Sequence, residues 1–339
     1  MIRRIPRSLR LILLLAAVVV LALAHLATGS TASAAETWAA VLGGADPLTA
    51  QIVRELRMPR VLVGAGAGMC LGMAGVVLQS VLRNPLASPD VTGVGSGAVL
   101  GAVAATLVGG DFTAPTRLVL VAVVGGTLGG GALWLVALRA GSDPVRLVVV
   151  GVVVSAALGG GSMVLLTARP QLTGSMTQWL VGSLNGRTWA HWSALWPWLL
   201  VAAVAGLLVA AVLQVLSVDD DHGRAVGLAV SPWRSAVLLV AVVLTAVAIA
   251  SVGAMAFVGL LAPHAARALF GADLRYALPA AGLLGAATVC GADVLAQTVT
   301  SWVADPARAG VPTGAVTAVL GAVVLIRVAR RTSTTGGTG

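Results

Sequence analysis

The sequence predicts an all-α membrane protein, with about ten transmembrane helices forming one bundle across residues 1–339. Three observations carry this expectation. The chain is 58% hydrophobic and only 10% charged, far from the roughly 25% charge of soluble domains, and its mean hydropathy is +0.99. Apolar windows of about 20 residues, the length that crosses a hydrocarbon core, recur from one end to the other. The net charge of +9 comes entirely from arginine, with no lysine, and these arginines sit mainly in short connections between apolar runs. That is the charge pattern of a membrane protein oriented by its loops. It excludes a nucleic-acid partner, because a solvated basic face needs long polar stretches and the chain has none.

The first span, 9–28, follows Arg3, Arg4, Arg7 and Arg10, and Thr31-Ala-Ser-Ala-Ala35 after it resembles a cleavage site. A signal peptide reads the same way. Retention as a helix is expected, because the later spans already target the chain and an even span count fits the charges. The second and third spans, 57–82 and 92–109, carry Gly64, Gly68, Gly72 and Gly93, Gly97, Gly101 at four-residue intervals. On a helix this spacing makes a smooth stripe along which backbones approach closely. Spans 117–138 and 145–168 follow. Trp179, Trp189, Trp192, Trp196 and Trp198 then crowd the approach to span 193–216, as in an interfacial aromatic belt. The remaining spans are 233–251, 254–270, 276–300 and 313–330. The third and eighth are short for a perpendicular crossing and need neighbouring protein over their ends. Cys70 and Cys290 lie inside apolar runs and read as small buried hydrophobes.

With the N-terminus inside, fourteen of the 21 arginines fall on the cytoplasmic side and seven outside, so both termini are expected to be cytoplasmic.

Chemistry is limited by what is missing. A phosphate-binding G-x-x-x-x-G-K-[ST] loop needs a lysine, and none is present. Any ATP and Mg chemistry would therefore belong to a partner chain; no cofactor or metal is expected on this one. The longest polar connection, 217–234, contains Asp219, Asp220, Asp221, His222, Arg224 and Gly227. Its acids open a segment that could be helical, where they favour the positive N-terminal end. Arg54, Arg57 and Arg60 stand at i, i+3 and i+6 and would share one face of a helix. Three like charges together ask for an anion or an acidic partner. His264 and Asp293 lie at membrane depth, where an ionisable residue points to function by default. A bonded turn for His264 and a cross-bundle hydrogen bond for Asp293 are the plainer readings.

Four ordered motifs resemble the permease family that imports iron–siderophore complexes, haem and vitamin B12 with ATP-binding-cassette motors. They are Arg57-Met-Pro-Arg60 through Gln79 and Arg83-Asn84-Pro85-Leu86 to Ser96-Gly97-Ala98; Trp179-Leu-Val-Gly-Ser-Leu-Asn-Gly-Arg187; Gly227, Gly253 and Phe257 through Pro263-His264 to Arg267; and Ala292-Asp293 through Val311-Pro312-Thr-Gly314 to Gly321. The resemblance implies ten helices per subunit and a second permease subunit, identical or paralogous. It further implies two cytoplasmic ATPase subunits docked on Asp219–Gly227, and an extracytoplasmic binding protein met by Arg57 and Arg60, with Arg54 beside them. The tryptophan motif looks closest to ferric-siderophore members. Two departures stand out: Gln297 where relatives carry arginine, and Gly310 where they carry glutamate, with Arg308 placed to replace the lost charge.

Overall fold

The computed structural model of the protein describes residues 5–29, 32–90, 92–108, 114–140, 144–167, 179–303 and 310–335. All regular structure among them is helical: α1 (Arg7–Ala27), α2 (Ala34–Leu42), α3 (Pro47–Ile52), α4 (Met58–Val81), α5 (Val94–Val108), α6 (Pro115–Ala140), α7 (Pro144–Thr167), α8 (Trp189–Leu216), α9 (Asp220–Ala225), α10 (Val230–Val252), α11 (Val258–Phe270), α12 (Leu274–Val303) and α13 (Thr313–Thr335). Ten of these fall on the ten expected spans. Six are long and apolar enough to cross a membrane unaided, and α8, bent after Gly206, makes a seventh. α5, α11 and the apolar part of α13 are shorter. The additions are α2, α3 and α9, which are polar or amphipathic and lie in connections.

α4 forms the centre, packed against α8, α10, α11 and α12. Nearly every residue from Val61 to Val81 is buried, as expected of a helix that is apolar all round. The glycine stripe explains how. A Cβ at Gly68 would meet the Gly285 carbonyl and one at Gly285 would meet the Gly68 carbonyl, so α4 and α12 touch backbone to backbone. Gly97 and Gly125 make the same reciprocal contact between α5 and α6. Without a hydrophobic driving force between helices in lipid, such close packing supplies the cohesion.

α1 runs parallel to α12 along its length. Arg7 pairs with Asp273 at 3.4 Å and His25 lies 2.7 Å from Asp293, so both fastenings are reached in the same chain direction along the two helices. Ser33, in the stretch that resembles a cleavage site, instead opens α2 with a capping box closed by Glu36, which holds the Glu36 carboxyl below its ordinary range through the Ser33 hydrogen bonds. Between α3 and α4 the chain makes one wide turn, Val53–Arg57, with the Met58 N–H donating to the Val53 carbonyl. This extra residue breaks the helical register, so Arg54, Arg57 and Arg60 do not share a face. Arg54 is exposed, Arg57 buried and Arg60 half-buried.

Candidate functional site

The charged side chains of the described residues gather at the two ends of the bundle, and each end centres on one carboxylate. At the first end Asp293, on α12, is fully buried. It accepts five hydrogen bonds. Arg60 of α4 binds both oxygens, Nε to Oδ2 at 2.7 Å and Nη2 to Oδ1 at 2.9 Å. Thr313 Oγ1, at the start of α13, donates to Oδ1 at 2.6 Å. Gln297 Nε2, one turn along α12, donates to Oδ2 at 2.9 Å, and His25 Nε2 of α1 lies 2.7 Å from the same oxygen. An ionised carboxylate only accepts, so Nε2 carries the imidazole hydrogen. Four helices thus converge on one buried charge, whose burial is tolerable because every lone-pair direction is met. Thr313 extends the hub by accepting from the Leu184 N–H at 3.4 Å. Gly314, whose N–H donates to the Gly182 carbonyl, sits too close to the Val181 carbonyl for any side chain. Pro312 opens this turn, its carbonyl accepting from Ala315.

This geometry corrects several expectations. Arg57 is not a surface charge: its guanidinium is buried and donates to the Leu26 carbonyl, the Ala32 carbonyl and Thr37 Oγ1, tying these three residues to the start of α4. A buried guanidinium surrounded by backbone acceptors has no reason to turn outward. Arg60 is engaged by Asp293, and of the three arginines Arg54 alone is exposed. Gln297, the departure on α12, donates into the hub; the expectation for Arg308 lies outside the described residues. His264 is exposed on α11 rather than bonded at depth, while its neighbour Pro263 is buried close to Gly75. Trp179 is not an interfacial ring: it is buried, with the Arg187 guanidinium 5.5 Å over it. Trp189 and Trp196 are the exposed members of the belt, and Trp189 Nε1 donates to the Arg54 carbonyl at 2.9 Å. His25 and Thr313 were missed from sequence. His25 carried a signal, being a histidine inside an apolar span.

At the other end Asp220, the first residue of α9, bonds two arginines, Arg83 at the end of α4 and Arg234 on α10. Burial tends to raise the Asp220 carboxyl, but the hydrogen bonds and charges of Arg234 and Arg83 outweigh it and hold the group below its ordinary range. The three acids do three different jobs. Asp219 caps α9 by accepting from the His222 N–H, Asp220 ties the helix to the bundle, and Asp221 pairs with Arg224 at 2.8 Å on the surface. Gly227 ends the element with φ +79°, a conformation that favours glycine. His222, Arg224 and the apolar Val218 and Val226 are exposed, so α9 presents a mixed polar and apolar face held at fixed orientation. Nearby, Gln79 accepts from Arg267. Asn84 Oδ1 accepts from the Leu86 N–H at 2.9 Å, leaving Pro85 exposed on the turn. Among the described residues no group of three or more His, Cys, Asp or Glu is arranged to hold a metal ion.

Neither end presents a nucleophile paired with a base. The arrangement is that of a helical bundle with the short helix α9 held outside one end. Comparison with known proteins places it in a family. The model of the FecCD transport family matches residues 13–331. The ferric enterobactin transport system permease protein FepG of Escherichia coli strain K12 is 38% identical over 318 residues, 93% of each chain. The achromobactin transport system permease protein CbrC of Dickeya dadantii strain 3937 is 40% identical over 257 residues, 74% of this chain and 72% of that one. A metal-chelate type ABC transporter solved in an inward-facing conformation superposes with a TM-score of 0.79 at 26% identity, covering 96% of this chain and 99% of that one.

Proposed function

Because the chain belongs to the FecCD transport family, as a multi-pass permease of ATP-binding-cassette importers, we propose that it carries a ferric siderophore across the inner membrane by alternating access. The observation that carries the reading is α9, a short helix outside the bundle that is capped by Asp219, fixed by the Asp220–Arg83–Arg234 cluster and exposed over His222, Arg224 and Val226. A face so held suits docking of a motor. In this reading two cytoplasmic ATPase subunits bind there and supply the ATP and Mg chemistry. Both termini are cytoplasmic, and a second permease subunit completes the path. A binding protein delivers the chelate at the Asp293 end, where Arg54 is the exposed arginine of its segment. Charge complementarity at such a contact sets register and on-rate more than affinity. ATP acts by binding the two states of the assembly unequally, and no covalent step occurs on this chain.

The test is uptake of radiolabelled ferric siderophore by proteoliposomes containing the chain, its ATPase and its binding protein. Uptake that needs ATP, survives a protonophore and disappears without either partner supports the proposal. Uptake by the chain alone, collapsing with the protonophore, would overturn it and return attention to Asp293 and His264 as ion-coupling groups.

A further inference from the structure

Among the described residues two non-glycine residues have a positive φ, Arg83 at +47° and Phe257 at +66°. An L side chain in that region is strained, and such strain persists only where surrounding contacts over-determine it. The two residues are 174 positions apart in sequence, yet one short stretch of chain, Arg83 to Asp90, joins them.

At one end of the stretch Arg83 donates Nε to the Leu216 carbonyl, which closes α8, at 3.2 Å, and Nη2 to Asp220 of α9. At the other end Asp90 Oδ2 accepts from the Phe257 N–H at 3.2 Å. Phe257 caps α11, and its ring fills the space where Gly321 of α13 lacks a side chain. The Asp90 carbonyl accepts from Ser155 Oγ of α7 at 2.9 Å, and the same hydroxyl accepts from the Gly93 N–H at 3.0 Å. Pro89 lies against Gly259, with a Cβ there only 2.7 Å from the ring. Between the fastenings the stretch is stiffened by the Asn84–Leu86 turn, by Ala87 N–H donating to the Asn84 carbonyl and by Gly95 N–H donating to the Pro89 carbonyl.

We infer that residues 83–90 form a strut that carries displacement of α9 to α7, α11 and α13, with Arg83 and Asp90 as the positioning residues at its two ends. The inference rests on the proposed function, because it is the motor docked on α9 that moves it. A proline-containing turn transmits a push when it is held by side-chain bonds at both ends, here from Arg83 to the last residue of α8 and the first of α9, and from Asp90 to the helix-capping Phe257; a loop without these bonds would absorb it. Asp90 matters most, since its carboxylate is the one side chain of the stretch shown bonding α11. Phe257, wedged against Gly321, then passes the shift to α13.

The experiment measures siderophore taken up per ATP hydrolysed, in proteoliposomes of the complete assembly. Asp90→Ala should lower that ratio about tenfold, equivalent to about 1.4 kcal/mol of lost coupling, while assembly and ATP turnover persist. Asp90→Asn, which keeps an acceptor for the Phe257 N–H, should restore most of it. At the other end Arg83→Gln should lower the ratio in the same direction. An unchanged ratio in Asp90→Ala or in Arg83→Gln overturns the strut, as does loss of assembly in Asp90→Ala with a normal ratio in Arg83→Gln. An unmodified assembly that shows no ATP-driven uptake overturns the functional reading, and the strut with it.

Discussion

Asp293 and Asp220 are the same device used in opposite surroundings. Each is an aspartate shared between side chains of different helices, but Asp293 is fully buried whereas the Asp220 side chain remains 30% exposed. A buried charge with five hydrogen bonds cannot rearrange cheaply, because every bond broken leaves a group in a medium that offers no substitute. A half-exposed pair exchanges its partners for water at small cost. The same chemistry therefore makes a rigid fastening at one end of the bundle and one that can shift at small cost at the other. This is the division expected if a motor acts on α9 while α1, α4, α12 and the Thr313 end of α13 stay locked together.

Removing the two carboxylates separates the ends most strongly. Asp293→Ala strands Arg60 and His25 in the interior and should cost about 3–5 kcal/mol, the usual result of breaking a buried pair from one side. Thermal unfolding of the detergent-solubilised protein would show it as a large fall in midpoint. Next comes Arg57→Ala, which orphans the Leu26 and Ala32 carbonyls at about 1–3 kcal/mol for each buried group left unsatisfied. Faster proteolysis between residues 28 and 46 would report the lost tie. Asp220→Ala should cost only about 0.2–1 kcal/mol in stability yet reduce coupled uptake. Equal destabilisation by Asp220→Ala and Asp293→Ala would break the comparison.

The smallest effect is in pH. The arginines beside it hold the folded Asp220 carboxyl below the ordinary carboxylate range. Its contribution is therefore complete above about pH 4–5 and is lost as pH falls through the folded value, since the unfolded state then binds the proton first. Hydrogen exchange at the α9 amides should be insensitive to pairing between pH 5 and 8, once corrected for intrinsic rates, and should accelerate in acid. Raising salt to 1 M, where the Debye length falls to about 3 Å, should loosen α9 similarly and leave the Asp293 end unaffected.

The difference between the ends also decides what could be read from sequence. α9 was legible because it is local: Asp219 and His222, Asp221 and Arg224, and the closing Gly227 all lie within nine residues. The spans and the glycine stripe were legible because apolar runs and four-residue spacing are local as well. The Asp293 hub is assembled from residues 25, 60, 293, 297 and 313, and no spacing rule links them. Asp293 could be singled out by its cost at membrane depth, and the same rule applied to His25 would have named a second member. The burial of Arg57 and half-burial of Arg60 were not legible because a polar connection at a span end looks solvent-facing; the Leu26, Ala32 and Thr37 acceptors that hold Arg57 come together only in three dimensions. The wide turn at Val53–Arg57, which breaks the i, i+3, i+6 register, has no sequence signature that we can identify.

The most direct test of the two-ended account is a pair of spin-label distances in the assembled transporter, with and without bound ATP. One pair joins Val226→Cys, directly after α9, to Leu9→Cys on α1; the other joins Leu42→Cys on α2 to Trp302→Cys on α12, all four positions being exposed while the native Cys70 and Cys290 are buried. ATP should shift the first distance and leave the second unchanged. A shift confined to the second pair, with α9 fixed against α1, would contradict the two-ended account.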